Sequence, residues 1–358
     1  MTELANILRR QIEVTGPITL ADYMSACLLH PKYGYYTTQD ALGVDGDFTT
    51  APEISQMFGE LIGLCVAQAW MDQGAPDRFA LVELGPGRGT LIADILRATV
   101  QVPGFHMAAK LHLVEASDRM RTLQAAALPA HHPTWHDTVD SLPEDMPVYV
   151  IANEFFDALP IRQFQRDPKG WREVVVGLGE DGTLQRGLSD AAPIDALNSR
   201  LDDTAPGALV ETCAHGTAVV DAIARRIVQN GGMALIVDYG GWHSDGDTFQ
   251  AVRGHRPVDP FAEPGRADLT AHVDFEALAR AALIAGCAAS QFTNQGVFLE
   301  RLGITPRAQS LAKGLTGDAL DAHVAAHRRL THPDEMGSLF RVLGLYPVTE
   351  SPPPGLDP

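Results

Sequence analysis

Cysteines, basic residues and long apolar runs are all scarce in this sequence. The 4 cysteines stand apart and form no C-x-x-C pair, which argues against both a disulfide framework and a zinc site. Scattered cysteines of this kind fit a reducing compartment. The 27 Lys and Arg residues are outnumbered by 45 Asp and Glu residues, so the formal net charge is -18. A chain this acidic has no general attraction for nucleic acid or an anionic membrane, and we expect neither as a partner.

The sequence also lacks targeting and membrane signals. No apolar run is long and charge-free enough to span a bilayer. The segment Met1–Val14 carries both acids and bases and has no apolar core of a secretion signal, and its acids argue against a transit peptide. We therefore predict no membrane insertion and a cytoplasmic location. With 45% hydrophobic and 20% charged residues, the composition is that of an ordinary globular protein, and 358 residues suffice for one large domain or two smaller ones.

A strand pattern followed directly by a glycine-rich turn occupies residues 80–90, ALVELGPGRGT. Leu81, Val82 and Leu84 are typical of a strand that is covered on both faces. A helix is predicted from Thr90 to about Val100. Glycines in the turn permit positive φ and a close backbone approach to a ligand, and the free N–H groups of the helix point to the same place. The stretch therefore predicts a site for a nucleotide-like ligand.

The spacing of the turn glycines favours one class of ligand. Gly85, Gly87 and Gly89 alternate, whereas a dinucleotide-binding fingerprint is G-x-G-x-x-G. Glu83 stands two positions before the first glycine, and its carboxylate would attract a cationic ligand and repel a pyrophosphate. The E-x-G-x-G-x-G turn resembles motif I of class I S-adenosyl-L-methionine (SAM) methyltransferases. A purely structural turn is the alternative.

Acids also follow the next two predicted strands. Glu115 ends the pattern of residues 111–114, about one β-α-β unit beyond the turn, where a carboxylate can accept both ribose hydroxyls. A solvated acid at a strand end is the alternative interpretation. Asp137 follows a short third strand and could reach the adenine amino group, and a turn or capping role is an equal alternative. The acids after two successive strands strengthen the prediction of a cofactor site.

The fourth predicted strand ends in a polar group. Asn153, Glu154 and Asp157 follow the buried pattern of residues 148–152. The two carboxylates and the amide could hold a cationic acceptor such as a guanidinium, and one carboxylate could take its proton. In the alternative interpretation, Glu154 is a surface acid and Asp157 caps a helix. Alternating strands and helices from residue 80 to residue 155 predict a parallel sheet with helices on both faces, and ligands bind at the carboxyl edge of such sheets.

The remaining segments complete a predicted domain plan. Residues 1–75 form an N-terminal helical extension or lid, whose loop includes Asp47, Phe48 and Thr49. Residues 76–345 form the main domain, and residues 346–358 a disordered tail, because they are rich in proline. Within the main domain we predict an antiparallel insertion, a long irregular insertion and a helical segment, at about 160–215, 241–270 and 304–335.

Seven motifs carry a resemblance that extends over nearly the whole chain. They are GPITLADYM (16–24), HPKYGYY (30–36), GDFTTAPEISQMFGE (46–60), LVELGPGRGTL (81–91), ANEFFDALPIRQF (152–164), DYG (238–240) and DLTAHVDF (268–275). Together they resemble the MidA-like SAM-dependent methyltransferases, bacterial relatives of the mitochondrial complex I assembly methyltransferase. The chain departs from the family at Ala51, where Ser is frequent, and at Asp118, where Pro is frequent.

The resemblance implies a fold, a cofactor and a substrate. The fold is a class I, Rossmann-like α/β methyltransferase with a mostly parallel seven-stranded sheet, an N-terminal helical extension and inserted segments. The cofactor is SAM, and no metal is expected. The implied activity is symmetric dimethylation of an arginine on a respiratory NADH dehydrogenase (complex I) subunit, in support of its assembly.

We assign roles to the candidate residues on this basis. Gly85, Gly87 and Gly89 would lie under the methionine portion of SAM and Glu115 would hold its ribose, while Asp47, Phe48 and Thr49 would close the site. Glu154 and Asp157, with Asn153, would orient the guanidinium for attack on the methyl group. Two alternatives stay open: an assembly chaperone that binds SAM without methyl transfer, and a nicotinamide-dependent oxidoreductase.

Overall fold

A computed structural model describes residues 2–38 and 49–358. Its contacts divide the chain into two compact units. The first unit contains the described part of 1–48 together with Asp157–Gly216 and Gly241–Asp274. The second unit contains Thr49–Phe156, Thr217–Gly240 and Phe275–Pro358. Each unit is therefore assembled from separate stretches of sequence.

The helices, in chain order, are α1 (Glu3–Thr15), α2 (Leu20–Leu29), α3 (Tyr35–Thr38), α4 (Ala51–Ile54), α5 (Gln56–Asp72), α6 (Thr90–Thr99), α7 (Phe105–Ala108), α8 (Asp118–Ala127), α9 (Ala214–Asn230), α10 (Phe275–Ile284), α11 (Gln295–Arg301), α12 (Ile304–Ala312), α13 (Asp318–Thr331) and α14 (Met336–Leu339). Short 3-10 helices occur at Val139–Ser141 and Asp195–Arg200. Among the helices that residues 2–38 and 49–358 form, none has both the length and the apolar character needed to cross a bilayer.

The strands are β1 (Ile18–Thr19), β2 (Phe79–Leu84), β3 (Ala109–Val114), β4 (Thr134–His136), β5 (Val148–Asn153), β6 (Arg162–Asp167), β7 (Gly170–Leu178), β8 (Leu184–Leu188), β9 (Leu209–Thr212), β10 (Gly232–Gly241), β11 (Gln250–Arg253), β12 (Arg256–Val258), β13 (Asp268–Thr270), β14 (Val273–Asp274), β15 (Cys287–Ala289), β16 (Thr293–Asn294) and β17 (Phe340–Pro347).

The main sheet of the second unit is mixed. Its strands follow the order β15-β17-β10-β5-β2-β3-β4. The strands from β10 to β4 pair in parallel, whereas β17 is antiparallel to both β10 and β15. Every residue of β2 and β5 is buried, as expected for central strands covered on both faces. The predicted α/β class is confirmed, and the predicted order of strands and helices between residues 80 and 155 is present.

Close packing of α5 on α6 fixes the helix that starts at the glycine turn. A Cβ atom on Gly59 would lie 2.5 Å from Cβ of Asp94, and one on Gly63 would lie 2.9 Å from Cα of Ile95. Only glycine permits the two helices to approach this closely at these positions. Leu61, Ile62 and other side chains of α5 belong to the same apolar core as the central strands. The position of α6 is thus determined by packing on both sides.

The first unit is built from antiparallel strands. One sheet has the order β1-β7-β6-β9, with β8 paired to β7, and the other has the order β12-β11-β13. The hairpin predicted around Asp167 and Gly170 is present between β6 and β7. The segment 241–270 was predicted to be irregular, and this was wrong, because β11, β12 and β13 lie within it. These strands have only 3 or 4 residues each, too few to show an alternating pattern.

Two other parts of the predicted domain plan differ from the structure. The predicted extension 1–75 is divided, because α4 and α5 belong to the second unit. The tail predicted to be disordered is ordered: Leu356 is 7% exposed in the main apolar core, and the Asp357 carbonyl accepts a hydrogen bond from Gln291 N at 2.9 Å. Its proline content suggested disorder, but burial of Leu356 holds it in place.

Candidate active site

The glycine turn joins the carboxyl end of β2 to the start of α6. The φ angles of Gly85, Gly87 and Gly89 are +60°, +53° and +84°, a region that favours glycine. A Cβ atom on Gly85 would lie 2.9 Å from Cδ2 of Phe155. Gly85 is exposed and Gly87 is half-buried, whereas Gly89 is buried and a Cβ atom on it would lie 3.5 Å from Cβ of Ala127. Within the described residues, no side chain caps the start of α6. The first part of the turn, at Gly85 and Gly87, therefore has an accessible backbone.

Glu83 is a buried acid on β2 with one unsatisfied oxygen. Its side chain is 3% exposed, and burial raises its pKa to about 8. A hydrogen bond from the backbone of Ile92, in the first turn of α6, partly opposes that rise in pKa. Oε2 is buried without a hydrogen-bond partner among the described residues. Glu83 thus supports the start of α6 and also has an oxygen that a cationic or donor ligand would satisfy.

Glu115 follows the last residue of β3 and is held by two donors. Its Oε1 accepts from Ser117 N at 2.8 Å, and its Oε2 accepts from Gln124 Nε2 at 3.1 Å. Burial raises the pKa of Glu115, and these two hydrogen bonds oppose the rise. The carboxylate is therefore oriented before any ligand arrives.

Gln124 connects the glycine turn to Glu115, and sequence reasoning missed it. The side chain is fully buried on α8. Its Nε2 donates to the Gly87 carbonyl at 2.9 Å as well as to Glu115, and its Oε1 accepts from Trp135 Nε1 at 2.8 Å. A glutamine in an amphipathic helix gives no local signal of such a role. Only the fold brings its three partners together.

Asp137 lies directly after β4 and is exposed. Its Oδ1 forms an ion pair with Arg121 Nη2, and Arg121 also donates to the Glu115 carbonyl. Asp137 is thus linked through Arg121 to the end of the neighbouring strand. Its predicted contact with adenine stays a prediction.

The end of β5 places Asn153 and Glu154 beside the turn of its neighbour β2. Glu154 has a φ of +51°, unusual for a residue with a side chain, and its N–H donates to the Val237 carbonyl at 2.9 Å. Its Oε1 accepts from Ala51 N at 3.0 Å and from Asn153 Nδ2 at 3.1 Å. Asn153 is 8% exposed, and its Oδ1 is buried without a partner among the residues described. Two adjacent strands therefore each carry a buried, unsatisfied oxygen.

Asp238 supports the segment that follows β5. It is fully buried on β10, and its Oδ2 accepts from the backbone N–H groups of Phe155 at 3.2 Å and Phe156 at 2.9 Å. Its Oδ1 accepts from Tyr239 N at 2.9 Å. The DYG motif that contains it contributed to the family resemblance, but no role was predicted for it. Asp238 fixes the conformation of the chain around Glu154.

The other predicted site residues have different surroundings. Asp157 belongs to the first unit, where it is 6% exposed and its carbonyl accepts from Ala271 N at 3.0 Å. Thr49 is half-buried and lies two residues before the start of α4, and Asp47 and Phe48 lie outside the described residues. No group of three or more His, Cys, Asp or Glu side chains within 2–38 and 49–358 is arranged to hold a metal ion.

The structure brings most candidate residues to one edge. The turn glycines, Glu115, Asp137 and Glu154 each follow the last residue of a strand, and these strands, β2 to β5, pair in parallel. Because parallel strands end at the same side of a sheet, these groups share its carboxyl edge. The edge offers an open backbone turn, several carboxylates and two unsatisfied buried oxygens.

Comparisons with known proteins agree with this geometry. Residues 61–293 match the family model described as "Putative S-adenosyl-L-methionine-dependent methyltransferase". The chain is 36% identical over 376 residues to the Homo sapiens protein named "Protein arginine methyltransferase NDUFAF7, mitochondrial", with 97% of this chain and 84% of that protein covered. The protein of the same name from Danio rerio is 36% identical over 358 residues, covering 93% of this chain and 84% of that one. A Burkholderia thailandensis protein crystallised with S-adenosyl-homocysteine superposes with a TM-score of 0.83 at 28% identity, over 99% of this chain and 92% of that one.

Proposed function

The chain belongs to the MidA-like SAM-dependent methyltransferases, and from that premise we propose that it methylates arginine side chains of a protein. It is a methyltransferase with SAM as its cofactor. The observation that carries the proposal is the pair of unsatisfied oxygens, Glu83 Oε2 and Asn153 Oδ1, at the ends of two adjacent strands beside an open glycine turn. The relatives named as protein arginine methyltransferases support the choice of arginine.

The residues present fit SAM. Glu83 Oε2 is a suitable acceptor for the methionine ammonium group, and the turn glycines let the ligand approach the backbone. Glu115 would hold the ribose hydroxyls, since its carboxylate is already oriented by Ser117 and Gln124. Asp137 would bind the adenine amino group. Bound SAM supplies an electrophilic methyl group on a sulfonium.

The acceptor residues act on the guanidinium. A protonated guanidinium is a poor nucleophile, so a carboxylate must orient it and accept its proton. Glu154 is suited to this because Ala51 N and Asn153 Nδ2 fix its Oε1. Asp157 follows three residues later and would supply a second carboxylate. Thr49, with Asp47 and Phe48, would help to close the site.

We further propose the class I arrangement and a specific biological role. The strand order of the main sheet, with β17 antiparallel among parallel neighbours, supports a class I, Rossmann-like sheet. The family resemblance of the sequence motifs supports an NADH dehydrogenase subunit as the substrate and assembly of complex I as the purpose. Symmetric dimethylation and a cytoplasmic location are part of the same proposal.

Isothermal titration with S-adenosylhomocysteine tests the cofactor site. We expect binding to the unaltered protein and a Kd at least tenfold higher in Glu115→Ala, since the hydrogen bonds of a charged acceptor are lost. Glu180→Ala, at an exposed acid of the first unit, is the matched control and should bind normally. Absence of binding, or equal binding by Glu115→Ala, contradicts the site. A parallel titration with NADH tests the oxidoreductase alternative and should show no binding.

Mass spectrometry tests the substrate. The NADH dehydrogenase subunit from wild-type cells should carry a dimethylated arginine that is absent in cells lacking this protein. Equal methylation in both would remove the enzymatic claim for that subunit and favour the assembly chaperone.

A further inference from the structure

A second polar cluster lies within the first unit, on two motifs to which the proposed mechanism gives no role. The Tyr36 hydroxyl of the HPKYGYY motif donates to Asp268 Oδ1, in the DLTAHVDF motif, at 2.9 Å. Asp268 and Asp157 are each 6% exposed. Burial, with the charges of Asp268 and Asp157 adding to it, raises the pKa of Tyr36 well above its ordinary value. Tyr36 thus keeps its proton and donates a hydrogen bond to Asp268, one of two buried acids whose charges act on it.

Thr270 adds an unsatisfied hydroxyl to the same place. It stands two residues after Asp268 on β13, so the two side chains project from the same face of that strand. Thr270 is 3% exposed, and its Oγ1 is buried with no hydrogen-bond partner among the residues described. The next residue, Ala271, donates its N–H to the Asp157 carbonyl at 3.0 Å, which holds this end of β13 against Asp157. A buried hydroxyl normally finds a partner, so the site is suited to a polar ligand.

The chemistry of the cluster favours one kind of ligand. Two carboxylates in a buried location repel each other, and a cation that joins them offsets that repulsion. A guanidinium is planar, always charged and has five N–H donors, enough to reach two carboxylates and a hydroxyl at once. An ammonium has three donors at a single nitrogen and cannot span such a set as well.

We propose that Asp268, Asp157 and Thr270 form the subsite for the guanidinium of the acceptor arginine, with Tyr36 as the residue that positions Asp268. This inference rests on the proposed arginine methylation and extends it from Asp157 to Asp268, Thr270 and Tyr36, for which no role has been given. Asp268 and Asp157 bind the guanidinium directly. Tyr36 acts through Asp268, whose Oδ1 it holds in one orientation.

Binding of small peptides tests the subsite. The protein, saturated with S-adenosylhomocysteine, is titrated with acetyl-Gly-Arg-Gly-amide and with matched peptides that carry citrulline or lysine. We expect the arginine peptide to bind at least tenfold more tightly than the neutral citrulline peptide, and more tightly than the lysine peptide. Asp268→Asn should weaken arginine binding at least tenfold, and Tyr36→Phe about threefold to tenfold. In both variants the Kd for S-adenosylhomocysteine should stay within about twofold of the wild-type value. A variant that fails to fold would lose this binding as well.

Controls separate the possible outcomes. Asp190→Asn, at an exposed acid of the same unit, should leave arginine binding unchanged. If Asp268→Asn fails to fold, Tyr36→Phe decides the question, because it removes only one hydroxyl. Unaltered arginine binding by both variants overturns the subsite, as does a wild-type protein that binds S-adenosylhomocysteine but does not distinguish arginine from citrulline. A wild-type protein that fails to bind S-adenosylhomocysteine instead contradicts the proposed function.

Discussion

Two turns follow adjacent buried strands of the main sheet, and they reach positive φ in different ways. After β2, the turn uses Gly85, Gly87 and Gly89, which adopt such angles without strain. After β5, Glu154 adopts a φ of +51° although it carries a side chain. A left-handed conformation costs such a residue roughly 1–2 kcal/mol. The hydrogen bonds from Glu154 N to Val237 O and from Phe155 N and Phe156 N to Asp238 hold this conformation.

The difference indicates what each turn is for. Where the backbone itself must approach a ligand, the chain uses glycine. Where a side chain is needed, the chain keeps it despite strain, and such strain is concentrated at functional sites. We therefore expect the turn after β2 to bind its ligand through the main chain, and the turn after β5 to act through the Glu154 carboxylate.

Removing the charge of Glu154 tests this contrast between the two turns, and we expect it to have the largest effect, on the rate of methylation. Glu154→Gln should lower the rate of arginine methylation roughly 100-fold or more, because a carboxylate that orients the substrate and takes its proton is lost. Its Kd for S-adenosylhomocysteine should change little. Methyl transfer from radiolabelled SAM to the purified substrate subunit measures the rate, with Glu180→Gln as the matched control. A rate within threefold of wild type would remove Glu154 from the mechanism.

Replacing Glu83, the acid before the glycine turn that follows β2, should change how the free energy of unfolding depends on pH. The pKa of Glu83 is raised to about 8 in the folded protein, so folding stabilises its protonated form. That stabilisation is complete below the unfolded pKa and is lost as pH rises toward 8, at up to about 1.4 kcal/mol per pH unit. Glu83→Gln should therefore become more stable relative to wild type between pH 5 and pH 8. Urea unfolding at both pH values measures this, and a difference that does not vary with pH would contradict it.

Adding a methyl group to the glycine turn should have a smaller effect. Gly85→Ala combines backbone strain at a φ of +60° with a contact 2.9 Å from Phe155 Cδ2. Gly74→Ala is a matched control, since Gly74 has a φ of +84° and a Cβ atom there would meet nothing within 4 Å. Both variants should lose about 1 kcal/mol of stability through strain, and Gly85→Ala should lose about 1 kcal/mol more. Only Gly85→Ala should weaken S-adenosylhomocysteine binding, and equal binding by both variants would place the turn away from the cofactor.

Relieving the strain at Glu154 should have the smallest effect. Glu154→Gly and Glu154→Ala both lose the carboxylate, but only glycine accepts the φ of +51° without strain. Glu154→Gly should therefore be more stable than Glu154→Ala by about 1 kcal/mol, measured by thermal or urea unfolding. If the alanine variant is equally stable, the backbone at this position is not strained.

The sequence predicted the strands that form this edge of the sheet well because their signals are local. β2, β3 and β5 each contain apolar residues and are followed directly by glycine or an acid, and the order of these strands along the chain fixes the edge. Gln124 and Asp238 could not be found in this way. Two partners of Asp238, Phe156 and Phe155, lie 82 and 83 positions away, and the partners of Gln124 are also brought to it only by the fold.

The first unit was harder to predict for the same reason. It combines three separated stretches, and its antiparallel strands find partners far along the chain, such as Ile18 with Val176. The short strands β11 to β13 show no periodicity of their own. The ordered structure of residues 346–358 was not predicted, because composition does not reveal that Leu356 enters the core.

We expect the side-chain amide of Gln124 to couple cofactor binding at Glu115 to the fluorescence of Trp135. One end of that amide contacts Gly87 and Glu115, and the other accepts the indole N–H of Trp135. A ribose that engages Glu115 must alter the polarity around this indole. Tryptophan emission, measured on an unlabelled sample by stopped flow, would then follow the binding and release of the cofactor. Loss of this signal in Trp135→Phe would show which of the 4 tryptophans is responsible.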